Sequence, residues 1–268
     1  MRAEEYQRLF ELEDSYWWFV GLHELVCRIL LSPAPKNGRT GRALDAGCGT
    51  GKMLTRLSAF QTAVGVDRSP IALARALRRL QNNALSRSVW SLVQSSVTKL
   101  PFDSETFDVV ISLDVLYHQW VQDDVEALKE FRRVLKPQGM CIINLPAFEW
   151  LRGSHDIAVQ TRERYTISKL RKRLLDAGFQ IEFLAYRNVV LLPLLLIRRI
   201  ISRIFRRTDS DVKPLHPALN ALFLTFLRFE NKILTFCWKN RLRALPFGGL
   251  PGSSVFVIAL KGTNEILG

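Results

Sequence analysis

The chain has 268 residues, 48% hydrophobic and 24% charged, which suits one large globular domain with a full core and excludes a disordered or fibrous chain. Its net charge of +13 is concentrated, because residues 189–243 hold eleven Lys/Arg against three acids, Asp209, Asp211 and Glu230; that points to a local anionic partner rather than a protein coated in nucleic acid. The four cysteines, Cys27, Cys48, Cys141 and Cys237, lie far apart without zinc or redox spacing, so no metal site and a reducing, cytoplasmic compartment are expected.

Residues 3–31 read as one helix, polar at first and then apolar at helical spacing in FVGLHELVCRILL. Its acidic, amphipathic start is no secretory signal. SPAPKNGRTG, 32–41, is a loop. RALDAG reads as a short buried strand, KMLTRLSAF as a helix, and TAVGVD as a second strand ending in Asp67. SPIALARALRRLQ is a helix with Ser69 as N-cap and Pro70 at its first position. VWSLVQ and FDVVISLD are the third and fourth strands, and DDVEALKEFRRVLKPQG is a helix closed by Pro137 and Gly139. MCIINLP is a fifth strand; TISKLRKRLLDAGF is a helix capped by Thr166; IEFLAYRNV is a sixth strand and SSVFVIALKG, 253–262, the last. The alternation predicts an α/β, Rossmann-like fold: a mostly parallel seven-stranded sheet with helices on both faces.

One domain over 1–268 is expected, with 1–40 as N-terminal helix and lid, 41–188 and 253–268 as the core, and 189–252 as a helical insertion. The longest apolar run, VVLLPLLLI at 189–197, is too short to cross a bilayer. LLLIRRIISRIFRR, 194–207, puts isoleucines and Phe205 on one helical face and arginines on the other. PALNALFLTFLRFENKILTFCWKNRLR, 217–243, is a second helix whose Phe223, Phe226, Phe229 and Phe236 can form an apolar wall. Two readings stand: the helices pack on each other and the sheet, or 194–207 lies on an anionic membrane surface, making the protein peripheral on the inner face of the membrane. Nucleic acid is disfavoured, since no RNA-binding module is present and the basic segment is too apolar for a phosphate groove. The oligomeric state is open.

The stretch Asp45-Ala46-Gly47-Cys48-Gly49-Thr50-Gly51 falls where the first strand turns toward the first core helix. Glycines there allow a tight turn and let a ligand lie against bare backbone. The spacing is GxGxG, not GxGxxG, and an acid precedes it; a carboxylate repels a pyrophosphate but suits a ligand carrying a sulfonium or ammonium. The loop also lacks the GK[ST] ending of a nucleoside triphosphate loop. Asp67, ending the second strand, is placed to accept both hydroxyls of a ribose, and Asp114 ends the fourth strand at the edge where open α/β sheets bind ligands.

ALDAGCGTGKML, VGVDRSP, LPFDSETFDVVISLDVLYH and LKPQGMCIINLP, spanning about residues 40–146 in this order, resemble class I S-adenosylmethionine-dependent methyltransferases of the type 11 group. EDSYWWFVGLHELV, 13–26, and GSHDIAVQTRERYTISKLRKRLLDAGF, 153–179, are similar to a bacterial subset with paired tryptophans near the N-terminus. The resemblance implies S-adenosyl-L-methionine as cofactor. It implies that Asp45, Gly47, Cys48 and Gly49 hold its methionine part, Asp67 the ribose, Arg68 the adenine side, and Asp114 the floor under the sulfonium. Ser96 stands where the family usually carries an acid facing the adenine amine, so its hydroxyl and the Val97 backbone would serve there; Leu22 and His23 stand where the subset tends to carry an arginine.

Methyl transfer is an in-line displacement in which an oxygen or nitrogen acceptor must lose a proton to a base. The candidates are His118, after the fourth strand, and the pair His155-Asp156, in the stretch expected to roof the acceptor site. Arg162 and Tyr165 belong to the same predicted wall, and Trp17 and Trp18 read equally as a lid or as packing. The expected activity is methyl transfer to a small-molecule or lipid-linked acceptor at oxygen. An RNA or protein methyltransferase and a non-catalytic S-adenosylmethionine-binding module are the alternatives.

Overall fold

The computed structural model describes residues 3–32, 41–82, 89–197, 215–242 and 249–262. Its centre is a seven-stranded sheet formed by β1 (Arg42–Ala46), β2 (Thr62–Asp67), β3 (Val89–Gln94), β4 (Phe107–Leu113), β5 (Leu135–Pro146), β6 (Phe179–Arg187) and β7 (Ser254–Lys261). Their spatial order is β3-β2-β1-β4-β5-β7-β6, and β7 alone runs against its neighbours β5 and β6. After β3 the chain returns to place β4 on the other side of β1, so the carboxyl ends of β1 and β4 flank the point where strand order reverses, the usual ligand position in such sheets.

Alternate strand residues feed two cores, as a period of two requires. Leu44, Ala46, Val64 and Val110 point to one face, where α4 (Asp124–Val134) and α6 (Ile167–Asp176) bury Leu128, Phe131, Leu170 and Leu174 against them. Ala43, Ala63, Ile111, Ile142 and Ile258 point to the other, beneath α2 (Trp17–Leu30) and α7 (Pro217–Lys239). The short α5 (Ser154–Ala158) follows β5, and α3 (Pro70–Gln81) is capped as expected, the Ser69 hydroxyl accepting from Ala72 N at 3.3 Å.

Three elements depart from the sequence reading. The single helix over 3–31 is two, α1 (Ala3–Leu12) and α2, because Glu13 turns inward to Arg79 and Thr50. No α-helix follows the glycine loop: i→i+3 bonds such as Arg56 N to Met53 O at 2.9 Å tighten Leu54–Arg56 into a single 3-10 turn. The helix expected to run to Gly139 ends at Val134, where Leu135 pairs with Phe107 and starts β5.

Between β6 and β7 in sequence, α7 lies against α2. Asn220 receives a hydrogen bond from Trp17 N at 2.9 Å and gives one to Ser15 O at 2.8 Å, while Asn231 donates to Gly21 O at 2.7 Å. Leu227 fits the gap at Gly21, where any Cβ would come within 2.6 Å of its Cδ1. Of the expected phenylalanine wall, Phe223 packs edge-on to Trp17, but Phe226, Phe229 and Phe236 face outward with Leu219 and Leu222. The proposed basic helix at 194–207 lies outside the described residues from 198 onward. No helix among the described residues is long and apolar enough to cross a membrane.

Arg79 of α3 ties α1 to the glycine loop: it donates to Phe10 O at 2.7 Å and to Thr50 O at 3.1 Å, and pairs with Glu13. Arg79→Met leaves the buried Glu13 carboxylate without its cation. It should cost about 3 kcal/mol in urea denaturation and make the segment around α1 the first site of limited proteolysis.

Candidate active site

Gly47, Gly49 and Gly51 all have positive φ, at +87°, +53° and +79°. A side chain on Gly47 would come within 2.3 Å of Val115 Cγ2, and one on Gly51 within 2.8 Å of Ala76 Cβ. At Gly49 nothing lies within 4 Å of that position, so bare backbone is open there to a ligand. The Gly49 N–H donates to Asp67 Oδ2 at 2.9 Å and the Ser69 N–H to Asp67 Oδ1 at 2.8 Å, which fixes that carboxylate at the mouth of β2.

A cavity of about 260 Å³ opens over this loop. Its floor is Asp45, Gly47, Cys48, Gly49, Asp67 and Asp114. Tyr6, Glu13, Trp17, Trp18 and His23 of the N-terminal segment cover it, and Trp120, His118, His155, Asp156 and Arg164 wall the far end. Four buried lining atoms have no hydrogen-bond partner among the described residues: Asp45 Oδ2, Trp17 Nε1, His23 Nδ1 and Thr161 Oγ1. Buried polar groups are rarely left so, and a polar ligand would satisfy them.

The electrostatics favour a cation at the floor. Burial, then Glu13 and Asp67, push Asp45 up to about 8. Burial raises Asp114 to about 6 against the Asn144 hydrogen bond, and raises Asp67 despite the backbone N–H groups of Ser69, Gly49 and Arg68. With only a 3-10 turn beyond the glycines, no long helix starts there to stabilise Asp45 as an anion.

Residues 44–143 match the protein family described as "Methyltransferase domain". The uncharacterized methyltransferase YodH of Bacillus subtilis is 40% identical over 100 residues, covering 37% of this chain and 40% of that protein. A tRNA U34 carboxymethyltransferase of Aeromonas hydrophila is 32% identical over 142 residues, covering 52% of this chain and 40% of that one. The matched chain thus spans about two fifths of the length of these curated relatives. Phosphoethanolamine N-methyltransferase 2 of Haemonchus contortus, solved with S-adenosyl-L-methionine, shares the fold at TM-score 0.54 and 20% identity, over 89% of this chain and 52% of that one. Residues 44–143 thus match a methyltransferase domain, and the chain shares the fold of a methyltransferase solved with S-adenosyl-L-methionine.

In this methyltransferase domain the expected cofactor residues divide. Asp45, Gly47, Cys48, Gly49, Asp67 and Asp114 converge on the cavity. Ser96, Val97 and Arg68 stand outside its wall: the Ser96 hydroxyl pairs with Thr98 Oγ1 at 2.8 Å, Val97 is core, and the exposed Arg68 lies 5.9 Å from the Trp120 ring. Burial drives the Cys48 thiol far up, so it stays protonated.

The acceptor wall differs more. Tyr165 is fully buried and its hydroxyl donates to Asp124, while Arg162 turns outward to Gln122 O and Glu163. Neither lines the cavity; Arg164, between them in sequence, does. Asp156 does not act on His155 alone: its oxygens accept from Arg164 Nε at 2.8 Å and from Gly153 N at 2.7 Å. Trp17 and Trp18 line the cavity and pack edge-to-face with each other, centroids 5.6 Å apart. His118 is held between Tyr117 and Trp120, and its Nδ1–H donates to Val159 O at 2.8 Å, leaving Nε2 with a lone pair. Burial lowers His118 to about 4, so it is neutral at physiological pH. Sequence patterns gave no sign of Glu13 or Arg164 as lining residues; only the helix break at Glu13 and the fold of the α5 loop bring them in, whereas Leu22 and His23, noted as standing at the subset's arginine position, do line the cavity.

A carboxyl group held near pH 8 must ionise when a cation binds beside it. Cofactor binding at pH 7 should therefore release close to one proton, seen as a buffer-dependent enthalpy in calorimetry. Affinity should rise with pH up to about 8 and then level off, and Asp45→Asn should remove the release.

Proposed function

We propose that the protein transfers a methyl group from S-adenosylmethionine to an oxygen of a small-molecule or lipid-linked acceptor enclosed in the cavity. The observation that supports this reading is the cavity itself, whose wall beyond the glycine loop carries the polar and aromatic side chains His118, Trp120, His155, Asp156 and Arg164. Bound S-adenosylmethionine supplies a methyl already activated on a sulfonium. Asp45, Asp114 and the backbone at Gly47, Cys48 and Gly49 hold the methionine part, Asp67 the ribose, and the Arg68, Ser96 and Val97 segment borders the adenine side.

His118, neutral and presenting Nε2, aligns the acceptor hydroxyl, and His155 takes its proton as the methyl moves. Asp156 and Arg164 form a fixed ion pair that shapes this wall. Trp17 and Trp18 exclude water. The outward row Leu219, Leu222, Phe226, Phe229 and Phe236 on α7 favours the lipid-linked form of acceptor, presented at an anionic membrane surface near the basic segment. The tRNA-modifying relative makes RNA the competing acceptor.

Incubation with methyl-labelled cofactor and, separately, an aqueous metabolite extract, a lipid extract and total RNA decides among these. Label should enter a metabolite or lipid, carried on oxygen by mass spectrometry; label entering RNA alone rejects the reading, and absence of any turnover with intact cofactor binding indicates a non-catalytic module. His155→Ala should lower kcat by about 100-fold while leaving cofactor affinity within a factor of about three.

A further inference from the structure

Arg187 closes β6 at the ligand edge of the sheet and is completely buried, yet its Nε, Nη1 and Nη2 have no hydrogen-bond partner among the described residues. The backbone behind it is rigid: Arg187 pairs with Ser254 of β7, and Gly252 is packed so tightly that a Cβ there would lie 2.2 Å from Arg187 O. The guanidinium carbon stands 6.0 Å from the ring centre of Trp18, which lines the cavity, and Nη2 lies 3.4 Å from where a Cβ on Gly21 would be.

Two carboxylates interact with it through space, and both are already committed. Glu230 accepts from the N–H groups of Asn188, Val189 and Val190, and Asp114 from Asn144 Nδ2 at 2.9 Å. Burial lowers Arg187 to about 10, so it remains a cation at neutral pH. Arg164 shows the contrast: two of its nitrogens hold Asp156 and the third donates to Ala147 O at 2.8 Å. A planar fork of five donors left unmade in a dry site is suited to one class of ligand, a planar or tetrahedral oxyanion taken in bidentate fashion.

We propose that Arg187 is the specificity residue of the acceptor site and that the acceptor carries a carboxylate or phosphate group, which reaches the guanidinium past the half-buried Trp18. This rests on the methyl-transfer reading above. The oxyanion sits beyond the cofactor's end of the cavity and orients the acceptor's nucleophilic oxygen from a distance.

The test uses the full chain saturated with S-adenosylhomocysteine, titrated with inorganic phosphate and with acetate by calorimetry. Wild type should bind one oxyanion per chain; the better of the two probes identifies the group. Arg187→Met should weaken that binding at least tenfold and Arg187→Lys less, with affinity for S-adenosylhomocysteine changed less than threefold in either. Equal oxyanion binding in Arg187→Met, or none in wild type, overturns the proposal. A loss of S-adenosylhomocysteine affinity with oxyanion binding intact also overturns it, by assigning the guanidinium to the cofactor's own carboxylate. Failure of wild type to bind S-adenosylhomocysteine at all fells the methyl-transfer reading instead. Should Arg187→Met not fold, wild-type crystals soaked in phosphate answer the question: density at the guanidinium supports the proposal, and density only at surface sites rejects it.

Discussion

Three carboxylates buried around one glycine turn are the constraint on which the site depends. Asp45, Asp67 and Asp114 come from the ends of β1, β2 and β4, and the sheet brings them together because those strands are neighbours in the order β2-β1-β4. Glu13 adds a fourth acid from above. Water would ordinarily stabilise such charges, and burial removes it, which is why Asp45 and Asp114 are both displaced upward. The fold tolerates this only because Gly49 N, Ser69 N and Asn144 Nδ2 each neutralise part of it. One oxygen, Asp45 Oδ2, is left over. A buried acid without a partner is costly in the empty protein and productive only when a cation arrives.

The cover over those acids is not part of the sheet. It comes from α1 and α2, and each is fastened from a different place. Arg79 on α3 grips the turn between them through Glu13 and Phe10 O, and α7 grips the start of α2 through Asn220 and Asn231. The two tryptophans therefore owe their position to residues about 200 positions later in the chain. A helix that packs on the lid this closely, with Leu227 seated at Gly21, makes the segment between β6 and β7 a part of the cavity's architecture.

The strand pattern was readable from sequence because each strand contains a short apolar run, although β5 begins five residues before its run, at Leu135. The floor of the site was readable for the same reason: strand ends and glycines are local features. What failed was whatever depends on contacts distant in sequence. KMLTRLSAF has helical spacing, but its backbone closes i→i+3 bonds after the positive-φ Gly51. His155-Asp156 looks like a dyad in one dimension; in three, Arg164 claims the acid, and no periodicity forecasts which of Arg162 and Arg164 faces inward. Tyr165 was assigned to the wall and is instead a core residue, because Asp124 at the start of α4 accepts its hydroxyl. The phenylalanines of α7 fit a helix, but helical spacing alone does not say which stripe finds a partner: Leu227, Leu234 and Cys237 are inside, and Phe229 and Phe236 are not.

The charge layout gives the proposed reaction a direction. Acids gather at the glycine loop, while Arg164 lines the cavity beside Asp156 and Arg187 lies behind Trp18. On methyl transfer the sulfonium would become a neutral thioether while the product keeps its ammonium group, so the charge lost would be the one over Asp114. Cofactor and product would then differ by one positive charge beside these acids, which would hold the spent product less tightly.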